Sequence, residues 1–510
     1  MTIGIVFKKD QSGSASYHKK FDEELKDYFG ADIFEAEGEW VPKAYCAKWK
    51  KDYRPFCIVK NIDIEVFVEF FSLNAWLVEG YAGVLEAWQM LTLAQKMMYD
   101  DEERILRRPY VRRDTMARRS AGKAQYPDPL GSEFTTGNHT EDLATLKKRA
   151  PVEAVDSSFD VRFLTTPPLT VAESERMQIA SFGVPEKAWL EESQGEGVNI
   201  YLLDSGFVEE AKKHPEFSET VGKEGRIKGW LHHPTLSGNE TDYDRQTTDQ
   251  EIRGTCGISK ILGRRGGLAK RANVWIAPSS RMPWLWSSLT HIDQLVAIKG
   301  HILSNREKDP RYKALVHINQ EILEYRAPGE RQEYYWRDPN LRLTKNEEAW
   351  IGRVSDLADE ALKSLLKVKD IIMVTSAGGP TVRFTSSSWP ARRGHEYGNM
   401  IVVGSVNTLG RVSGVREDEI AKIYAIGTGV EVPFLRILPD KTFIQGGYES
   451  VENGNHAALA VTGILATHLS ANKEWNTAAA MRKLYGDSYP RFSGGPRVAW
   501  TGVRPPSGKA

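Results

Sequence analysis

The stretch Val198-Asn199-Ile200-Tyr201-Leu202-Leu203-Asp204-Ser205-Gly206 is a short, nearly unbroken apolar run that ends in an acid and a small turn. A run of that length, closed by Ser-Gly, reads as a strand buried on both faces. Val274–Ala277, Ala314–Ile318, Ile371–Thr375 and Met400–Val403 have the same character. Helical patterning falls at Leu289–Gly300, Val354–Leu366 and His456–Leu469. Continuous apolar strands interleaved with helices predict an α/β fold, a doubly wound, mostly parallel sheet flanked by helices. In such sheets the carboxyl ends of the strands hold the site, which singles out Asp204.

Outside this core the bulk properties exclude several classes. Lys+Arg and Asp+Glu both number 68 in a chain of 510 residues, so no net field draws in nucleic acid or an anionic membrane. Neither is expected as a partner. No apolar run approaches the length of a membrane span. The apolar stretch Ile3–Phe7 is too short for a signal-peptide core, so an intracellular location is expected. The Asn138-His139-Thr140 and Asn239-Glu240-Thr241 triplets match the glycosylation pattern and carry little weight without a signal. The three cysteines, Cys46, Cys57 and Cys256, argue against a disulfide framework, a single Cys46–Cys57 bridge being the minor alternative.

Three regions follow from the changes in composition. Residues 1–110 are expected to be a mainly helical N-terminal extension, on the three- and four-residue spacing of apolar positions in Ile62–Ala94. Its aromatics Phe67, Phe70, Phe71, Trp76 and Trp88 read as core. Residues 111–169, rich in Arg, Ser, Gly and Pro, read as a linker. Within it, Lys147-Lys148-Arg149 has the form of a basic processing site, and a charged helix face is the preferred reading. Residues 170–503 carry the α/β domain.

Four blocks in this domain carry chemistry. The first is Asp204-Ser205-Gly206, preceded by Ala188-Trp189 and followed by His214-Pro215-Glu216. The second is Arg253-Gly254-Thr255, opening a helix, with Gly267-Leu268-Ala269 and Ala272 after it. The third is Thr375-Ser376-Ala377-Gly378-Gly379, then Trp389-Pro390-Ala391. The fourth is Gly454-Asn455-His456-Ala457-Ala458, running into Val461-Thr462-Gly463. In order and spacing these blocks resemble those of the subtilisin-like serine proteases, over roughly residues 170–500.

The resemblance implies a subtilisin-like fold and a role for each position. Asp204 stands at the triad carboxylate, Arg253 at the histidine, Asn455 at the serine, and Gly379 at the oxyanion asparagine. Arginine stays protonated and has no acceptor, so it cannot take a proton from a nucleophile. Asparagine is a good N-cap, which accounts for Asn455 without chemistry. Val316-His317-Ile318-Asn319-Gln320 departs from the family's Asn-x-Ser-x-Gly at the cleft wall.

The expected function is therefore that of a pseudoprotease, a binding or scaffold protein. Its ligand is an unidentified protein or small molecule in the old cleft, and neither cofactor nor metal is expected. The N-terminal region reads as a partner-binding module or as the relic of an inhibitory prodomain. One alternative is non-proteolytic catalysis, of cyclase or lyase type, by Asp204, Arg253, Asn455 and His456. Another is a displaced triad drawing on Ser450, Cys256, His232 or His233. The bland reading of Asp204 and Arg253 is a structural ion pair, the guanidinium satisfying the carboxylate.

Overall fold

The computed structural model describes residues 3–6, 15–29, 43–46, 56–60, 152–167, 184–231, 249–278, 285–319, 322–323, 345–378, 388–413, 420–437, 443–472, 474 and 476–504. At the N-terminus, β1 (Ile3–Val6), α1 (Ala15–Phe29), β2 (Lys43–Cys46) and β3 (Phe56–Lys60) form an antiparallel sheet in the order β1-β3-β2 with one helix. On α1, His18, Phe21 and Leu25 recur at helical spacing and are buried. The described part of this region is thus sheet plus helix rather than mainly helical. The stretch Ile62–Ala94, on which the helical expectation rested, lies outside the described residues, as does Lys147-Lys148-Arg149.

Cys46 and Cys57 face each other across β2 and β3 with Cα atoms 4.0 Å apart and form a disulfide. The single bridge that the cysteine count left as the minor alternative is the one that forms. Composition counts cysteines, whereas strand register decides which two can meet.

In the larger domain, β4 (Val152–Val155) and α2 (Phe159–Thr165) come first, followed by β5 (Ala188–Glu191), β6 (Val198–Asp204), β7 (Ile227–Trp230), α3 (Asp249–Leu262), β8 (Asn273–Pro278), α4 (Leu285–Lys308), β9 (Lys313–Ile318) and β10 (Ile322–Leu323). After these come α5 (Lys345–Leu366), β11 (Ile371–Ser376), β12 (Ser388–Trp389), β13 (Met400–Val406), β14 (Ile423–Ile426), β15 (Thr428–Ile437), β16 (Phe443–Glu452), α6 (Gly454–Ala471), α7 (Thr477–Asp487), β17 (Tyr489–Pro490) and β18 (Arg497–Val498). The β4 strand pairs with β5, and Val161, Phe163 and Leu164 of α2 join the core.

The central sheet has nine strands in the order β17-β18-β14-β13-β11-β9-β6-β8-β7. Every pairing from β7 across to β18 is parallel, and only β17 runs against its neighbour. The β6, β11 and β13 strands are buried at every position, the pattern of a sheet covered on both faces. After β6 the chain turns to β7 and β8 on one side. After β9 it turns to β11, β13 and β14 on the other. The neighbours β6 and β9 therefore flank the topological switch point, outside whose carboxyl ends a crevice opens.

Two helix pairs cover the sheet, α4 with α5 and α3 with α6. The Tyr201 hydroxyl meets His301 of α4 at 2.8 Å, so Tyr201 faces that pair. Asp204, three residues on, points to the other face, toward α3 and α6. The α6 helix is buried from His456 to Leu469, and alanines, glycine and threonines let it lie flat on the sheet. A helix apolar on all sides belongs in a core. The β1 strand lies against α4 and α5.

Candidate functional site

Four elements converge at the switch point. The loop after β6 is held to α3 by Thr255, whose hydroxyl accepts from the Val208 N–H at 2.8 Å. Gly254 makes that approach possible, since a Cβ there would stand 2.4 Å from the Gly206 carbonyl oxygen. One turn on, a Cβ at Gly257 would meet the Asp204 carboxylate at 3.5 Å and Leu459 of α6 at 3.0 Å. The α6 start is set against the end of β11 in the same way. A Cβ at Gly454 would lie 2.1 Å from the Gly378 carbonyl oxygen. The Gly-Thr and Gly-Asn dipeptides are thus packing requirements of this corner.

Asp204 is 3% exposed and both its oxygens are engaged. Oδ1 accepts from the Ser205 backbone N–H at 2.6 Å and the Ser205 hydroxyl at 3.2 Å. Oδ2 accepts from the Asn319 side-chain amide at 2.6 Å. Asn319 is carried there from the neighbouring strand: its own N–H donates to the Leu203 carbonyl, directly continuing the β6–β9 pairing. Burial pushes the Asp204 carboxyl up to about 6, while the three donors pull it the other way.

This shift has a sign that can be measured. The folded chain holds the Asp204 proton more tightly than the unfolded chain. The resulting stability is fully present below the ordinary carboxyl value of 3.8 and is lost as pH rises through about 6. On the order of 3 kcal/mol is at stake for a shift of this size. The difference in melting temperature between wild type and Asp204→Asn is expected to change between about pH 4 and pH 6 and to level off on either side. A difference that does not vary with pH would mean that Asp204 titrates normally.

The structure separates residues that the sequence grouped together. Arg253 is exposed, and Asp204 is bonded to Ser205 and Asn319 instead, so the expected Asp204–Arg253 ion pair is not formed. The long side chain reaches solvent, where the guanidinium keeps its hydration. Asn455 is half-buried in the first turn of α6, but it is not the N-cap. Asn453 is, its side chain accepting from the Asn455 N–H at 2.9 Å. Gly379, His232 and His233 lie outside the described residues. Ser450 is exposed on β16, where it pairs with Glu431.

His456 is 5% exposed with Nδ1 unpartnered, and the charges acting on it are Lys260 and Asp160. Burial lowers it to about 3, so the ring is neutral. It belongs to the packing between α6, α3 and α2. Cys256 is buried, and burial pushes its thiol up to about 12, which suits a packing residue rather than a nucleophile.

Asn319 is the residue of this site that sequence reasoning did not select. The usable signal was its position, one residue past the carboxyl end of a strand predicted to lie in the parallel sheet. Among the described residues no group of His, Cys, Asp and Glu has the geometry to hold a metal ion, and no helix is long and apolar enough to cross a membrane.

No family model and no curated protein matches this chain. Among solved structures it is similar to one described as a cold adapted subtilisin-like serine proteinase. The identity is 13% and the TM-score 0.43, over 68% of this chain and 98% of that one.

Proposed function

We propose that the chain is a subtilisin-like protein that does not cleave peptides and that its switch-point crevice serves to bind a ligand or partner. The observation that supports this reading best is the state of Asp204. A triad carboxylate orients a histidine, but here its oxygens already accept from Ser205 and Asn319. The residue aligned with the histidine, Arg253, is exposed and permanently charged. The residue aligned with the serine is a carboxamide. In subtilisin, loss of the nucleophile or of the base costs about 10⁶ in turnover.

The competing reading, catalysis of another kind by His456 with Asp204, has less support, because His456 is buried and burial lowers it to about 3, and the Asp204 oxygens accept from Ser205 and Asn319 instead. The N-terminal unit, with β1 against α4 and α5, is proposed as the partner-binding part.

A fluorophosphonate probe tests the first claim, since it labels only an activated serine. The full chain at pH 8 is expected to stay unlabelled under conditions that saturate an active serine hydrolase. Labelling that is blocked by prior denaturation would overturn the proposal and point to a nucleophile outside the aligned blocks.

A further inference from the structure

Asp204 and Asn319 are bonded in a way that leaves one acceptor over. The Asn319 amide nitrogen donates to Asp204 Oδ2 at 2.6 Å, while the amide oxygen, Oδ1, is buried and has no hydrogen-bond partner among the described residues. A buried carbonyl oxygen without a donor is a standing cost. The carboxylate is set up for three donors, two of them from Ser205 on its Oδ1. One of those is a backbone N–H, which cannot turn round. A proton arriving at Asp204 therefore belongs on Oδ2, the oxygen facing Asn319. There it meets an N–H, and two donors face each other.

A half-turn of the Asn319 amide removes the clash of donors and gives the amide oxygen a partner, at the cost of moving the amide N–H groups to the place the oxygen held. Nitrogen and oxygen of a carboxamide are nearly the same size, and exchanging them needs no backbone movement. After the turn, Asp204 Oδ2–H donates to Asn319 Oδ1, and the amide nitrogen takes the place the oxygen held. We infer that Asp204 and Asn319 form a proton-linked switch, in which protonation of the carboxyl turns the Asn319 amide over and exchanges an acceptor for a donor at the buried position beside the switch point. This holds whether or not the crevice binds a ligand.

The surrounding groups leave the proton to Asp204. From α3, Arg253 is exposed, the Cys256 thiol is pushed up to about 12, and Lys260 is bonded to Asp160. From α6, Asn455 and Leu459 do not titrate, and His456 is lowered to about 3. Burial of Asp204 moves its own titration to about 6, which places the switch within reach of ordinary buffers.

Asn319→Leu distinguishes a turning amide from a fixed one. A fixed amide serves only the charged carboxylate, so removing it raises the Asp204 midpoint by about one pH unit or more. A turning amide serves both forms, so the midpoint rises by less than that. The midpoint is read from the carboxylic C=O infrared band that Asp204→Asn abolishes. A rise of about one pH unit or more would overturn the inference.

Should Asn319→Leu fail to fold, wild-type protein labelled with ¹⁵N-asparagine gives the same answer. At pH 8 one Asn319 Hδ2 is expected downfield and protected from exchange, bonded to the carboxylate. At pH 4.5 that bonded proton is expected to be lost. A downfield, protected Hδ2 that persists at pH 4.5 would show that the amide does not turn.

Discussion

Lys260→Met is expected to cost about 3–5 kcal/mol of stability, because it strands a carboxylate in the core. Lys260 and Asp160 are 1% and 2% exposed, and the Lys260 ammonium lies 3.0 Å from Asp160 Oδ2. The ammonium also donates to the Glu431 carbonyl at 2.6 Å, and the Glu431 N–H reaches Asp160 Oδ1 at 3.3 Å. The pair thus fastens α2 to α3 and to the base of β15, which pairs with β16 and leads into the α6 start. With Lys260 removed, Asp160 loses its cation and keeps the Glu431 N–H. Replacing both partners, as Lys260→Met with Asp160→Leu, removes the stranded charge and is expected to recover most of the loss. Chemical denaturation of the two variants beside wild type decides the matter. Equal midpoints for Lys260→Met and wild type would mean that the pair is hydrated and unimportant.

Neither member of that pair stood out in the sequence, and the reason is general. The elements legible from sequence were those whose signal is local. The run Val198–Leu203 became β6, ending on Asp204 as read, and Val354–Leu366 is the second half of α5. His456–Leu469 lies within α6, where small apolar residues on every side marked a buried helix. A strand must be apolar along its own length to be buried on both faces, so its pattern survives in one dimension. The features that escaped notice join distant points. Lys260 and Asp160 are a hundred residues apart in sequence. Asn319 reaches Asp204 only because β9 pairs with β6, although β7 and β8 intervene in the chain. Arg253 illustrates the converse error. Alignment placed it beside Asp204, but a long charged side chain can leave a site that a histidine would occupy, and here it points to solvent.

Under the proposed reading, introducing a histidine and a serine at the two positions that resemble the family's base and nucleophile is expected to give no working triad, for the same geometric reason. Arg253→His supplies a base and Asn455→Ser a hydroxyl, the latter in the first turn of α6 beside the end of β11. The new imidazole still needs an acceptor to fix its tautomer and orientation. Asp204 Oδ2 is held by Asn319 at 2.6 Å, and Oδ1 by Ser205. The double variant should therefore behave like a triad without its carboxylate, which in subtilisin turns over about 3 × 10⁴ times more slowly than the intact set. Adding Asn319→Ser shortens the side chain and releases Oδ2, so the triple variant is expected to react with a fluorophosphonate at least about tenfold faster than the double. It should still fall short of a working protease if Gly379 leaves the developing oxyanion without a side-chain donor, a deficit of about 10²–10³. The rates of probe labelling for the double and triple variants, measured at matched fold stability, separate these contributions. Were the double variant to react as fast as the triple, the Asn319 amide would not be what keeps Asp204 from orienting an introduced imidazole.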